Sequence, residues 1–385
     1  MKKPELLPLT GIRFYAALLV FVAHTTEFPG LEWLREIHFF KVAGSMGVSV
    51  FFVLSGFILT YNYAAVFAGG VTGKAWRAFV WQRLAKIYPT HLLTLLIAIP
   101  LQVFSPNLPL DWRAVPVQLL LVQCFVPFGT PPLHAYLNAP SWSISCEFFF
   151  YLLAPFGICG LGKGGRKAAS VAAVAGYAAV VCAGLSLLAS HHHLSNSGRL
   201  TDGGLFAYLD HRYFTYYFAP TRFLEFLGGI LVAFAYLRKT GGISPVLTTL
   251  YAGLAILLLT AGAWMQQLFS WPLQDAFDYL PGAALLIYIL ARGSGWVAAH
   301  LSGRRMEVLG MASFSFYMIH MPVIRCVRGV MRHFDVLSPS PTVIAATVIG
   351  TFLAAQVCAI LLCRHFELPV QKWMKNLTGH PPTTG

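Results

Sequence analysis

Apolar residues fall along the chain in long, nearly unbroken blocks, with charged and turn-forming residues gathered between them. A membrane-crossing helix needs about 20 mostly apolar residues. Ten blocks meet or approach that length: about 9–27, 44–66, 87–104, 142–160, 168–190, 222–237, 246–266, 279–291, 308–324 and 342–363. The run 114–128 is an eleventh candidate, short and bounded by Pro116 and Pro127. The pattern predicts an all-α polytopic membrane helix bundle of about ten transmembrane helices. No linker is long enough to separate two domains and no repeat is evident, so 1–370 reads as one membrane domain and 371–385 as a cytoplasmic tail.

Composition supports this reading and narrows the function. Of 385 residues, 57% are apolar and 11% charged, against about 25% charged in a soluble domain. An ordinary soluble enzyme, a disordered chain and a nucleic-acid-binding protein are excluded, and the expected surroundings are membrane lipids. The net charge of +13 then reads as cytoplasmic loops under the positive-inside rule. With ten spans and a cytoplasmic N-terminus, seventeen Lys and Arg lie inside and nine outside. Making 114–128 a span turns this into twelve against fourteen. The ten-span arrangement is preferred, both termini are cytoplasmic, and 114–128 becomes a short helix on the outer side. Met1-Lys2-Lys3 begins like a signal peptide, but Arg13 interrupts the apolar run and no small-residue cleavage site follows, so an uncleaved first span is expected. The seven cysteines show no paired spacing and read as small buried hydrophobes. His191-His192-His193 stand in a Ser/Asn/Gly-rich loop and read as polar rather than metal-binding; no metal is expected. Asn376-Leu377-Thr378 matches a glycosylation acceptor but lies on the predicted inner side, and is discounted.

Charged side chains at mid-membrane cost about 2.5–3.5 kcal/mol on insertion scales and need partners or a task. Arg13 and His24 are eleven residues apart on the first span, roughly 20° past three turns, so they share a face about 16 Å apart along the axis. The bland reading has Arg13 snorkelling to the interface and His24 bonded to a carbonyl. Glu147 sits inside the fourth span with Ser143 at i−4. Beside an imidazole, its carboxylate would fix one tautomer; otherwise it forms a structural salt bridge, with Arg222 as one partner, although Arg222 and Glu225 themselves stand at i, i+3. Lys74, Arg77, Arg83 and Lys86 cluster before the third span, as topology signals or, for Arg83 and Lys86, as a phosphate clamp. His320 reads as a satisfied structural histidine or a second polar wall. Ser55, Ser143 and Ser145 are nucleophiles in principle and helix-packing residues more often. Arg325, Arg328 and Arg332 line one helical face on the outer side, where they would attract an anionic acceptor or lipid headgroups.

Several of these segments together resemble acyltransferase family 3, a family of integral membrane O-acyltransferases. Arg13 and His24 meet its first-span signature of Arg, ten residues, then His. Gly47-Val48-Ser49-Val50-Phe51-Phe52-Val53-Leu54-Ser55-Gly56-Phe57 is similar to its second-span G-V-D-L-F-F-V-L-S-G-F, with Ser49 in place of the acid. Arg83-Leu84-Ala85-Lys86-Ile87-Tyr88-Pro89 resembles R-x-x-R-I-x-P, with Lys86 for the second Arg and the planar fork lost. Trp142 to Tyr151 resembles W-S-L-S-V-E-x-x-F-Y, and the segments Arg222–Gly229, Ser313–Pro322 and Glu367-Leu368-Pro369 follow in order. The likeness covers about 9–369.

The resemblance implies transfer of an acyl group, commonly acetyl, from cytosolic acyl-CoA to a hydroxyl of a carbohydrate or related acceptor, often across the membrane. His24 is then the general base and Glu147 its orienting or charge-stabilising partner. Arg13, Arg83 and Lys86 would hold the CoA phosphates, with Ser143, Arg222 and His320 toward the acceptor. A bacterial inner membrane is the expected setting. The competing readings are a multi-pass transporter of a sugar- or lipid-linked substrate and a structural partner in polymer export. Retention of both Arg13 and His24 argues against the latter.

Overall fold

The computed structural model describes residues 4–103, 110–126, 133–163, 173–181, 183–184, 213–268, 273–336 and 339–377. The His191–His193 run and Thr378 of the glycosylation pattern lie outside these residues.

The apolar blocks become helices because a backbone in hydrocarbon must satisfy its own hydrogen bonds. In order these are α1 (Leu7–His24), α2 (His38–Phe67), α3 (Gly73–Val103), α4 (Ala114–Leu119), α5 (Trp142–Lys163), α6 (173–181, with 183–184), α7 (Ala219–Arg238), α8 (Pro245–Leu268), α9 (Gln274–Phe277), α10 (Leu280–Arg292), α11 (Trp296–Ser302), α12 (Arg304–Met311), α13 (Ser313–His333), α14 (Pro341–Leu362) and α15 (Leu368–Asn376). Among the described residues there is no strand. Among the described residues seven helices are long and apolar enough to cross a membrane, or up to nine if each of two bent pairs counts as one span. The bent pairs are α9–α10 with α11, at 86°, and α12 with α13, at 60°. Nine of the ten expected blocks therefore carry such a helix or pair; the tenth, 168–190, is described only as α6.

In its described part, 114–126, the run 114–128 forms no helix of spanning length. Its helix has six residues, about 9 Å. Gln118 and Gln123, both fully buried, hold it instead. Ser141 Oγ donates to Gln118 Oε1 at 2.7 Å, and Gln123 Nε2 donates to the Ser141 carbonyl at 2.9 Å. These bonds pin the segment to the start of α5.

The expected tail boundary moves. Residues 371–376 continue α15, and Trp81 Nε1 of α3 donates to the Met374 carbonyl at 2.9 Å. Between α14 and α15 a π-turn over Cys363–Glu367 rotates Glu367 inward. Ser315 Oγ of α13 donates to its Oε2 at 2.5 Å.

Helix α2 lies at the centre, packed by α1, α5, α7 and α10, while α13 packs against α1, α3 and α14. Helices α2 and α7 cross with backbones nearly touching. A Cβ on Gly56 would strike the Phe226 carbonyl, and one on Gly229 the Val53 carbonyl, so glycine is required on both sides. The outer flanks expose Leu250, Leu254 and Leu257 on α8 and Ile349, Leu353 and Val357 on α14, apolar surface suited to lipid.

Candidate active site

An internal cavity of about 100 Å³ opens between α1, α2, α3, α5 and α13. Its α2 wall runs from Val48 to Leu59, eleven residues or about 16 Å. The cations are Arg13 of α1 and Arg83 and Lys86 of α3. Glu147 and Tyr151 of α5 and Ser55 of α2 face them, and Ser143, Phe51, Phe52 and Tyr317 line the rest. Arg83 and Lys86 share the cavity side because i, i+3 positions neighbour each other on a helix.

Each cation is held differently. Arg83 Nη2 donates to Tyr63 Oη at 3.2 Å, and its guanidinium lies 5.5 Å from the Tyr63 ring and 6.0 Å from Phe79. Its Nε is buried and has no hydrogen-bond partner among the described residues. Lys86 lies within electrostatic reach of Arg13, Arg83, Glu367 and Glu147. No salt bridge within 4 Å joins Arg13 or Lys86 to a carboxylate among the described residues. The Tyr151 hydroxyl donates to Glu147 Oε2 at 2.9 Å. Three cations gathered without direct ion pairs are costly inside a membrane protein, and they suit an anionic ligand.

His24 stands beyond this cavity, at the other end of α1. Helices α1 and α2 run antiparallel with Ala16 level with Gly47 and Ala23 beside Gly44, so His24 lies past Val48. Its Nδ1 is 2.9 Å from the Val20 carbonyl and 3.3 Å from Nε2 of His320, a fully buried residue. Tyr317 separates the two places. Its hydroxyl bonds Ser143 Oγ at 2.7 Å and donates to the Pro140 carbonyl at 3.1 Å, while its ring contacts Phe51 and His320.

A family profile described as an acyltransferase domain matches residues 8–361. The chain belongs to acyltransferase family 3. Among individual relatives of this family, it is 36% identical to acyltransferase MdmB of Streptomyces mycarofaciens, over 82% of this chain and 78% of that protein. It is 23% identical to O-acetyltransferase OatA of Staphylococcus aureus (strain NCTC 8325 / PS 47), over 84% of this chain. That match spans 51% of OatA, about half its length. No solved structure matches the chain. Family membership makes this protein an acyl-transferring enzyme of multi-pass membrane architecture, and the transporter and export-partner readings give way to it.

Within this family member, the structure brings together Arg13, Arg83, Lys86, Glu147 and Ser143 from the sequence-derived set. It brings His24 to His320. No described contact joins Glu147 to His24: the carboxylate faces the cationic cavity, and His320 occupies the place beside the imidazole. Arg222 is elsewhere again, fully buried on α7 with its Nε 2.9 Å from Glu225 Oε2. Its Nη2 donates to Ser49 Oγ at 3.1 Å, and the rings of Phe52, Trp142 and Tyr216 surround it at 5.2–6.0 Å. Ser49, standing where the family pattern has an acid, thus still contacts an arginine. Of Arg325, Arg328 and Arg332, Arg328 pairs with Glu27 at 2.5 Å and Arg325 donates to the Leu137 carbonyl, so two are engaged within the protein. Ser145 Oγ is taken up by the Leu121 carbonyl at 2.6 Å.

Tyr317, Tyr151 and Glu367 were not singled out as site residues from the sequence. Each lay inside a matched motif, but only the helix crossings show which of them meet the cavity.

Proposed function

We propose that this acyltransferase moves an acyl group, acetyl by preference, from cytosolic acyl-CoA to a hydroxyl of a carbohydrate or related acceptor. The observation that carries the reading is the cavity in which Arg13, on the same helix as His24, converges with Arg83 and Lys86 of α3, with no direct ion pair among the described residues. The diphosphate and 3′-phosphate of CoA supply the anions such a set lacks. Unpaired Arg83 Nε is a donor available to them. The thioester end extends along the cavity toward Tyr317 and His24.

A hydroxyl is a weak nucleophile, and a positioned base contributes about 10²–10⁴-fold to its attack. The acceptor oxygen attacks the thioester carbonyl as the His24 ring takes its proton. The C–S bond then breaks, and the proton passes to the departing CoA sulfur. Products are the ester and free CoA. Glu147, facing the cations, positions them rather than the imidazole. His320 lies toward the acceptor side and Ser143 at the boundary through its bond to Tyr317, while Arg222 is enclosed on α7 away from both. We place the enzyme in a bacterial inner membrane with ten spans and both termini cytoplasmic, as the charge asymmetry supports.

The test is transfer by purified protein in liposomes, supplied with radiolabelled acetyl-CoA and a panel of sugar acceptors. Label in an acceptor, or CoA release above background, that disappears in His24→Ala is the expected result. Failure to bind acetyl-CoA at all overturns the donor assignment, and undiminished transfer by His24→Ala overturns the base.

A further inference from the structure

The three hydrogen-bond contacts around the histidine pair are compatible with one neutral arrangement of protons. A carbonyl oxygen only accepts. His24 Nδ1, 2.9 Å from the Val20 carbonyl, therefore carries its proton. His320 Nδ1, 3.2 Å from the Phe316 carbonyl, carries its own. His320 Nε2 is then a lone pair, and it stands 3.3 Å from His24 Nδ1. The Nδ1–H of His24 is shared between the Val20 carbonyl and His320 Nε2, a three-centre bond of the kind common near helix ends. His24 Nε2 is left with the lone pair, and it makes no hydrogen bond among the described residues.

We infer that His320 is a positioning residue that, with the Val20 carbonyl, fixes His24 in the tautomer whose Nε2 is the free base. The inference rests on the proposal that His24 is the base, and supplies what Glu147 does not. His320 is itself immobilised: it is fully buried on α13, stacked on Phe316 at 22° and edge-on to Phe21. The other charged groups near His24 are Glu27 and Arg325, and Glu27 is bonded to Arg328. When His24 gains the acceptor proton at Nε2, all three contacts persist with no donor or acceptor reversed. No reorganisation accompanies the step, which is the condition under which fixed dipoles assist catalysis most.

The tautomer is read by nitrogen NMR of protein labelled at histidine, in liposomes, with His24 assigned by its disappearance in His24→Ala. The expected spectrum shows His24 protonated at Nδ1 and bare at Nε2. In His320→Phe, which keeps a ring but no acceptor, the two tautomers mix. In that variant kcat falls about 10-fold or more, part of the 10²–10⁴ of a positioned base, while KM for acetyl-CoA stays within about twofold. His320→Gln, whose side-chain oxygen stands near the place of Nε2, restores most of kcat. A wild-type spectrum with the proton on Nε2 overturns the inference without any variant. So does wild-type kcat in His320→Phe when His24→Ala is inactive, a result that leaves the base assignment standing. Full activity in His24→Ala overturns both.

Discussion

Arg222 is charged and without solvent contact, and it survives because Glu225, Ser49 and three aromatic rings enclose it. Removing one member of a buried pair strands the other, at a cost of about 3–5 kcal/mol. Arg222→Met should therefore lower stability by that amount in detergent unfolding, and Arg222→Met with Glu225→Leu should recover most of it. The cavity cations should behave differently, since Arg13 and Lys86 have no ion pair within 4 Å among the described residues. Arg83→Ala and Lys86→Met are expected to raise KM for acyl-CoA about 10–100-fold, the worth of one charged hydrogen bond, with little loss of stability. A binding isotherm for acetyl-CoA checks this, and unchanged affinity in both would refute the donor assignment. At this scale the sequence was only partly legible. Helical spacing puts Ser143 beneath Glu147 and Arg83 beside Lys86, and those groupings persist. It does not say which helix stands opposite, so neither the Tyr151 contact of Glu147 nor the pairing of His24 with His320 is legible there.

Elements were easier to read than their contacts. Blocks of apolar residues depend on hydrophobicity alone, and the helices stand where those blocks do. The run at 114–126 is held outside the spans, as its charge balance predicts, for a reason visible in its residues: Gln118 and Gln123 demand polar partners, and Ser141 at the start of α5 provides them. Close crossings were less visible, because a glycine in a membrane helix has many possible uses. The α2–α7 crossing depends on Gly56 and Gly229, and it also sets the register that delivers Ser49 to Arg222. Gly229→Leu should force the two helices apart, at about 1–3 kcal/mol for overpacking or more where the backbones must separate. A lower melting temperature, with Gly229→Ala intermediate, is the expected outcome.

At the scale of the whole molecule, the distribution of charge proposes an orientation that thiol labelling can check. Lys74 and Arg113 are both exposed and lie on opposite predicted sides. In a cysteine-free background, an impermeant maleimide applied to intact cells should modify Arg113→Cys and spare Lys74→Cys. The reverse pattern would invert the arrangement, and with it the side from which donor arrives. The layer between the cationic cavity and His24 bears on a different property. Tyr317, bonded to Ser143 and packed on Phe51 and His320, stands between the cation-lined cavity and the His24–His320 pair. An energised membrane punishes any protein that lets protons pass: about 2.3 kcal/mol is dissipated per charge for each 100 mV. A pathway lined by arginine, lysine, glutamate and two imidazoles would conduct readily if it filled with water. A tyrosine at this boundary is expected to slow proton passage, and liposomes carrying Tyr317→Ala should lose an imposed pH gradient faster than those carrying the wild type.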